Sequence, residues 1–196
     1  MNMFKELVFA THNTNKVREI QTAVGDKLNL LTLEDIGCLN DIEETGLTIE
    51  ANASIKSKFV YNIYGFNCFA DDTGLEVEAL NQSPGVYSAR YAGIPKNDSQ
   101  NIDLLLSNLK GVYNRKAQFR TVISLIMDGS EYFFEGVLKG NITTERIGTK
   151  GFGYDSIFTP LGLNQTLAQL DITTKSNISH RGIAIRQLIA FLSAKT

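Results

Sequence analysis

Four short polar runs in this 196-residue chain hold side chains able to bind or transform an anionic ligand. The first is Thr11-His12-Asn13-Thr14-Asn15-Lys16, between an apolar run and a helical pattern. Free N–H groups and the positive end of a helix favour an anion there, and Lys16 adds a full charge. Thr and Asn are also ordinary caps, and G-x-x-x-x-G-K-[ST] is absent, so phosphate binding and simple capping both stay open. The second run is Asp71-Asp72-Thr73-Gly74, directly after Cys68-Phe69-Ala70. Adjacent acids leaving an apolar strand point in different directions. One can face a cleft and hold Mg²⁺ or orient a water. The alternative is a turn with solvated acids, for which Asp-Asp-Thr-Gly is good material.

The third run, Glu43-Glu44-Thr45-Gly46, leads into a helix carrying Asn52 and Lys56 four residues apart. Acids at a helix start suit its dipole, and a solvated helix face is the plain alternative for Asn52 and Lys56. The fourth combines Gly151-Phe152-Gly153-Tyr154-Asp155 with the segment from Lys175 to Arg181. Glycines beside an aromatic let backbone approach a flat ligand, on which Phe152 could stack. His180 and Arg181 offer donors to a purine edge or a phosphate. A glycine loop around a core Phe, followed by a helix start, is the alternative. Together the runs supply cations, an acid pair, an aromatic and a helix start, which is what a nucleoside triphosphate with Mg²⁺ requires.

The elements that must position these runs follow from periodicity. Glu6 to Ala10 reads as a short buried strand, and Val17, Ile20 and Val24 recur at helical spacing behind it. A second helix is expected from Thr48 to about Tyr64, with Ala51, Ile55, Phe59 and Ile63 as its apolar stripe. Asn97 with Gln100 resembles a capping box for a helix carrying Ile102, Leu105, Leu106 and Leu109, stopped at Gly111. Phe119, Thr121, Ile123, Leu125 and Met127 alternate along one face, Asp128-Gly129 makes a turn, and Glu131 to Leu138 returns as a hairpin partner. Ile142 to Ile147 and Tyr154 to Phe158 read as further short strands. A last helix starts at Ser179 and buries Ile185, Leu188, Ile189 and Leu192. Helices separated by strands at both ends, with a hairpin between, predict an α/β domain with a mixed sheet.

Composition narrows the function classes. The chain is 43% hydrophobic and 20% charged, as ordinary globular proteins are, and nothing in it marks a linker or repeat, so 1–196 reads as a single domain. A formal charge of −2 with no basic run argues against an extended nucleic-acid footprint, though not against a small anion. No apolar run approaches the roughly 20 residues that cross a bilayer, and Met1 to Glu6 lacks the pattern of a secretory leader, so a cytoplasmic protein with no membrane partner is expected. Cys38 and Cys68 are expected as reduced thiols rather than a disulfide or metal set.

In motif order the sequence is similar to the inosine/xanthosine triphosphate pyrophosphatase family over nearly its whole length. Thr11 to Lys16 resembles the family's [ST]-G-N-x-x-K loop, and Glu43 to Lys56 its E-x-x-G…N-A-x-x-K segment. Asp71-Asp72-Thr73-Gly74-Leu75 through Pro84-Gly85-Val86-Tyr87-Ser88-Ala89-Arg90-Tyr91 resembles D-D-S-G-L…P-G-[VI]-Y-S-A-R-[YF]. Gly151 to Asp155 and Ser179-His180-Arg181-Gly182 complete the set. The resemblance implies an elongated α/β fold with two lobes around a central substrate cleft, usually dimeric. It also implies Mg²⁺-dependent hydrolysis of purine triphosphates such as ITP, dITP and XTP to the monophosphate and pyrophosphate. Asp72 would be the general base and a metal ligand, and Glu43 a second metal ligand. Thr11, His12, Asn13, Thr14, Asn15, Lys16 and Lys56 would hold phosphates, and Thr73 would touch substrate. Phe152, Gly153, Tyr154, Asp155, Lys175, His180 and Arg181 would surround the base. Four positions depart from the family's habit: His12 for Gly, Thr73 for Ser, Ser156 for Pro and Gln169 for an acid.

Overall fold

The computed structural model describes residues 6–195. Its strands are β1 (Glu6–Phe9), β2 (Asn29–Leu31), β3 (Cys68–Val77), β4 (Pro84–Gly85), β5 (Lys116–Met127), β6 (Ser130–Ile142) and β7 (Phe158–Pro160). Its helices are α1 (Thr14–Val24), α2 (Ile49–Tyr64), α3 (Asp98–Asn108), α4 (Ile172–Ile178) and α5 (His180–Ala194). The strands form one sheet in the order β2-β1-β3-β5-β6-β7, with β4 also paired to β3. The β2-β1-β3 pairs are parallel and the rest antiparallel, the mixed sheet expected of alternating helices plus a hairpin. Asp128 and Gly129 both adopt positive φ, 51° and 78°, which matches the twist of the flanking strands and fixes the β5–β6 register at Met127 opposite Ser130.

The two long antiparallel strands β3 and β5 serve two cores. At one end Phe69, Ile123 and Leu125 join Leu7, Phe9, Ile20, Ile185 and Leu188 beneath α1 and α5. At the other, Leu75, Val77 and Phe119 join Ile102, Leu105, Ile157 and Phe158. A smaller cluster of Val8, Leu33, Val60 and Ala70 lies under α2. Between the two ends the paired residues are Asp71 with Ile123, Asp72 with Val122 and Thr73 with Thr121. Polar side chains of β3, Asp71, Asp72 and Thr73, therefore stand where the two apolar halves meet.

Several local expectations need correction. The Asp-Asp-Thr-Gly run is the middle of β3 and not a turn, because ten consecutive residues of β3 pair with β5. The stripe Ala51, Ile55, Phe59 and Ile63 is not the buried face of α2; Ile63 is 62% exposed. Ile49, Asn52, Ala53, Lys56, Ser57 and Val60 turn inward instead. The polar members of that face find partners on or beside the sheet. Asn52 bonds Asp72, Lys56 bonds Glu44, and the Ser57 and Ser124 hydroxyls are 2.7 Å apart. Residues 143–147 form no strand, since β6 ends at Ile142, and 155–157 form a 3₁₀ turn ahead of β7. The short strands β2 and β4 and the helix α4 have too few residues to reveal a period.

Gly136 on β6 lets the start of α5 lie directly on the sheet. A Cβ built there would stand 2.0 Å from the His180 carbonyl oxygen, a backbone atom held by its helix. Gly136→Ala should therefore cost about 1–3 kcal/mol, as overpacking does. A urea midpoint equal to the parent's would show that α5 can lift away without penalty.

Candidate active site

Asp71 is fully buried and accepts a bond from Lys16 Nζ of α1 at 2.9 Å and from Arg181 Nε of α5 at 2.9 Å. Burial opposes its charge, but Lys16, Arg181 and Lys56 outweigh that and hold the carboxyl below its ordinary value. Arg181 continues to Glu19, and its Nη2 donates to Thr73 Oγ1 at 3.2 Å. Glu19 also pairs with Lys175 Nζ at 2.6 Å, and Lys175 meets Asp155. Three acids thus face three cations, a balance that a buried cluster needs because an uncompensated charge is costly. Burial disfavours the Lys16 charge and lowers its pKa despite Asp71. For Arg181, Asp71 and Glu19 prevail over burial and keep it charged.

Asp72, on the other face of β3, has a different environment. Asn52 Nδ2 donates to its Oδ2 at 3.2 Å, and Lys56 Nζ lies 3.8 Å from its Oδ1. Lys56 is closer to Glu44, at 2.6 Å. Burial pushes the Asp72 pKa up, Glu44 and Asp71 add to this, and Lys56 and Lys16 only partly offset it. The Glu43-Glu44-Thr45-Gly46 loop is tied to α2 by Gly46 N–H donating to Asn52 Oδ1 at 2.7 Å. Glu44 turns toward Lys56, whereas Glu43 is exposed.

At the start of α1, Asn13 is the N-cap, its Oδ1 accepting from Asn15 N–H and Lys16 N–H at 3.0 and 3.2 Å. Thr11 accepts from Asn13 N–H, His12 reaches the Asn40 carbonyl at 3.1 Å, and Thr14 is exposed. Beside this helix start opens a cavity of about 360 Å³, lined in part by Asn15, Glu19, Gly151, Phe152, Leu170 and Lys175. That volume lies within the ~300–1,000 Å³ usual for small-ligand sites. Lys175 Nζ stands 5.0 Å from the Phe152 ring centroid and the Arg181 guanidinium 5.7 Å, both cation–π distances.

The remaining residues of the fourth run have structural partners. Tyr154 donates to the Ser88 carbonyl at 2.8 Å, Gly153 N–H to Asp98 at 2.8 Å, and Phe152 N–H to Asp155 at 2.9 Å. His180 stacks on Phe119 with ring centroids 4.6 Å apart, and its Nδ1 finds no partner among the described residues. Burial, then Arg181 and Lys175, keep its pKa well below the ordinary histidine value. Gln169 accepts from Thr166 N–H at 2.8 Å, closing a short turn in place of the acid common in the family. Cys38 and Cys68 are both free and buried, and burial pushes the Cys68 thiol up to about 12.

Sequence reading singled out neither Glu19 nor Thr121. Glu19 sits beside Ile20 on the buried side of α1, and an acid next to an apolar stripe is the signal that marks it. Thr121 reads as one more alternating β residue, yet its hydroxyl lies 2.7 Å from that of Thr73.

The fold and the motifs have counterparts. The Ham1 family model matches residues 7–191. A dITP/XTP pyrophosphatase of Christiangramia forsetii is 56% identical over 188 residues, covering 96% of this chain and 99% of its own. One of Flavobacterium psychrophilum is 53% identical, covering 95% and 98%. Among solved structures, the Staphylococcus aureus Ham1 protein superposes with a TM-score of 0.88 at 41% identity, covering 98% of this chain and 100% of that one.

The two neighbouring acids should separate in stability measurements. Asp71 has a lowered pKa, so it stabilises the fold above its ordinary value of 3.8 and loses that contribution as pH falls below it. Asp72 has a raised pKa, so its stabilising contribution is greatest at low pH and is lost as pH rises through its folded value. At neutral pH Asp71→Asn should cost about 3–5 kcal/mol by stranding buried cations. Asp72→Asn should leave the unfolding free energy equal or higher. Urea unfolding of both variants checks this, and an Asp71→Asn protein as stable as the parent would contradict it.

Proposed function

The chain belongs to the Ham1 family, and from that premise we propose that it hydrolyses ITP, dITP and XTP to the nucleoside monophosphate and pyrophosphate. One observation carries the chemistry. Adjacent acids on one strand have pKa values driven apart, Asp71 down by paired cations and Asp72 up by burial. Environments that separate two titratable groups assign their roles. Asp71 is a permanently charged anchor for cations, and Asp72 is a carboxylate with proton affinity to spare, the property of a general base.

Magnesium fits the donor set. Mg²⁺ is usually held by one or two carboxylates together with substrate phosphates. Asp72 and Glu43 would hold it, with Glu44 left to balance Lys56. When bound, the ion neutralises triphosphate charge and polarises phosphoryl oxygens.

The chain's own groups supply the rest. Asp72, oriented by Asn52, takes a proton from the water that attacks the α-phosphorus. Lys16, Lys56 and the start of α1 draw in the phosphates. Phe152 offers a stacking face, and Lys175 and Arg181 stand beside it as donors to a 6-oxo purine. Arg181 uses three of its five N–H donors on Asp71, Glu19 and Thr73, which leaves two for substrate. Adenine presents a 6-amino donor and would leave such groups unsatisfied, the kind of mismatch that discriminates strongly. The same reading takes the enzyme as a cytoplasmic homodimer.

Hydrolysis in ¹⁸O-water should place the label in the monophosphate and not in pyrophosphate. Label in pyrophosphate would move the attack off the α-phosphorus. In a nucleotide panel, ITP, dITP and XTP should exceed ATP in kcat/KM by about 100-fold or more, while equal values for dTTP and dITP would sink the purine reading. Asp72→Asn, and Mg²⁺ removal from the parent, should each abolish turnover without lowering the melting temperature.

A further inference from the structure

Arg90 belongs to the Pro84-Gly85-Val86-Tyr87-Ser88-Ala89-Arg90-Tyr91 run, which the roles above leave unused. It ends a 3₁₀ turn of residues 88–90 that is pinned from three sides. Ser88 Oγ donates to the Gly85 carbonyl at 2.6 Å and accepts from Leu75 N–H of β3 at 2.8 Å. The buried Asn101 of α3 donates to the Ala89 carbonyl at 3.1 Å and accepts from Ala92 N–H at 2.7 Å. Tyr154 holds the Ser88 carbonyl.

At the end of this fixed turn the guanidinium is idle. Its side chain is only 22% exposed, and its nearest acid oxygen is Glu44 Oε2 at 3.8 Å. Among the described residues it makes no side-chain hydrogen bond, and its other contact is the Tyr87 ring at 5.2 Å. Arg115, Arg120 and Arg181, the other half-buried or buried arginines, all spend donors on carbonyls or carboxylates. A planar fork of five donors on a rigid support, with none engaged, is arranged for an oxyanion that arrives from outside.

Its position says which oxyanion. The charged groups form two neighbouring sets: one starts at the Phe152 cavity with Lys175 and passes through Glu19 and Arg181 to Asp71 and Lys16, and the other starts at the next residue of β3, Asp72, with Lys56, which is near enough to help hold the Asp71 charge. Glu44 carries the second set on to Arg90, and Lys96 lies close enough to help keep Glu44 charged. With the base at one end and the attacked phosphorus at Asp72, the outer phosphates lie at the other end. We propose that Arg90 binds the β- and γ-phosphates of the substrate and holds the leaving pyrophosphate. This rests on the pyrophosphatase reading above. Binding displaces the guanidinium from its long contact with Glu44 toward the bidentate geometry of phosphate oxygens.

Inhibition of the parent and of Arg90→Ala by the two products tests the proposal. With Mg²⁺ present, the inhibition constant of inorganic pyrophosphate should rise about 10- to 100-fold in Arg90→Ala, the worth of a charge-assisted bond or two. That of inosine monophosphate should move less than about 2-fold, within the scatter of uninvolved side chains. Arg90→Lys, which keeps the charge without the fork, should recover part of the loss. Unchanged pyrophosphate inhibition in a folded Arg90→Ala overturns the proposal. Equal weakening of both products also overturns it, since that is the mark of a merely structural residue. A parent protein that releases no pyrophosphate from ITP sinks the underlying activity and this role with it, so the two failures are told apart by the parent alone.

Discussion

A carboxylate with no exposure to water, Asp71, sets the terms for everything around it. An isolated charge at that depth would cost several kcal/mol, so the fold is obliged to bring cations to it. Those cations come from opposite ends of the chain, Lys16 from the first helix and Arg181 from the last. Both helices must therefore lie on the same region of the sheet, and Gly136 provides the clearance for α5 to do so. Lys175 and Arg181 need acids in turn, which Glu19 and Asp155 supply. The network closes electrically, and its cations stay near the cavity because their partners are fixed.

Asp72 owes its character to the same arrangement. One residue along a strand reverses the side-chain direction, so Asp72 leaves the cation-rich face and meets α2. There Lys56 is shared with Glu44, and Asn52 offers only a neutral donor. Incomplete compensation raises the proton affinity of Asp72 at no cost in side-chain order. Two identical residues in sequence thus acquire opposite pKa shifts, one lowered by paired cations and one raised by burial.

The large regular elements were legible in the sequence, and the failures cluster at the site. The long hairpin, α3 and α5 were readable because alternation, caps and turn residues agree there; Asn97 and Ser179 do cap their helices. The helix α2 is legible in the sequence, but its inward face is not. An apolar stripe is the rule for a buried face, and Asn52, Lys56 and Ser57 break it because their partners come from distant segments. The Asp-Asp-Thr-Gly run has turn composition, yet pairing with β5 carries the strand through it. Of the candidate site residues, Lys16, Thr73, Asp155, Lys175 and Arg181 are joined through Asp71 and Glu19, and Asp72 with Lys56 forms a second set beside them. Glu19 carries only the signal of an acid beside an apolar stripe, and nothing in local spacing says that it faces two cations more than 150 residues away.

The bond from the Tyr154 hydroxyl to the Ser88 carbonyl links segments 66 residues apart in the chain. It joins the Gly151–Asp155 loop, which borders the cavity, to the turn that ends at Arg90. The two segments behave as one bracket, so if Phe152 stacks on the base as proposed, an ill-fitting heterocycle that shifts it also displaces the turn that ends at Arg90. Discrimination among nucleotides would then surface in the speed of bond cleavage as well as in binding strength.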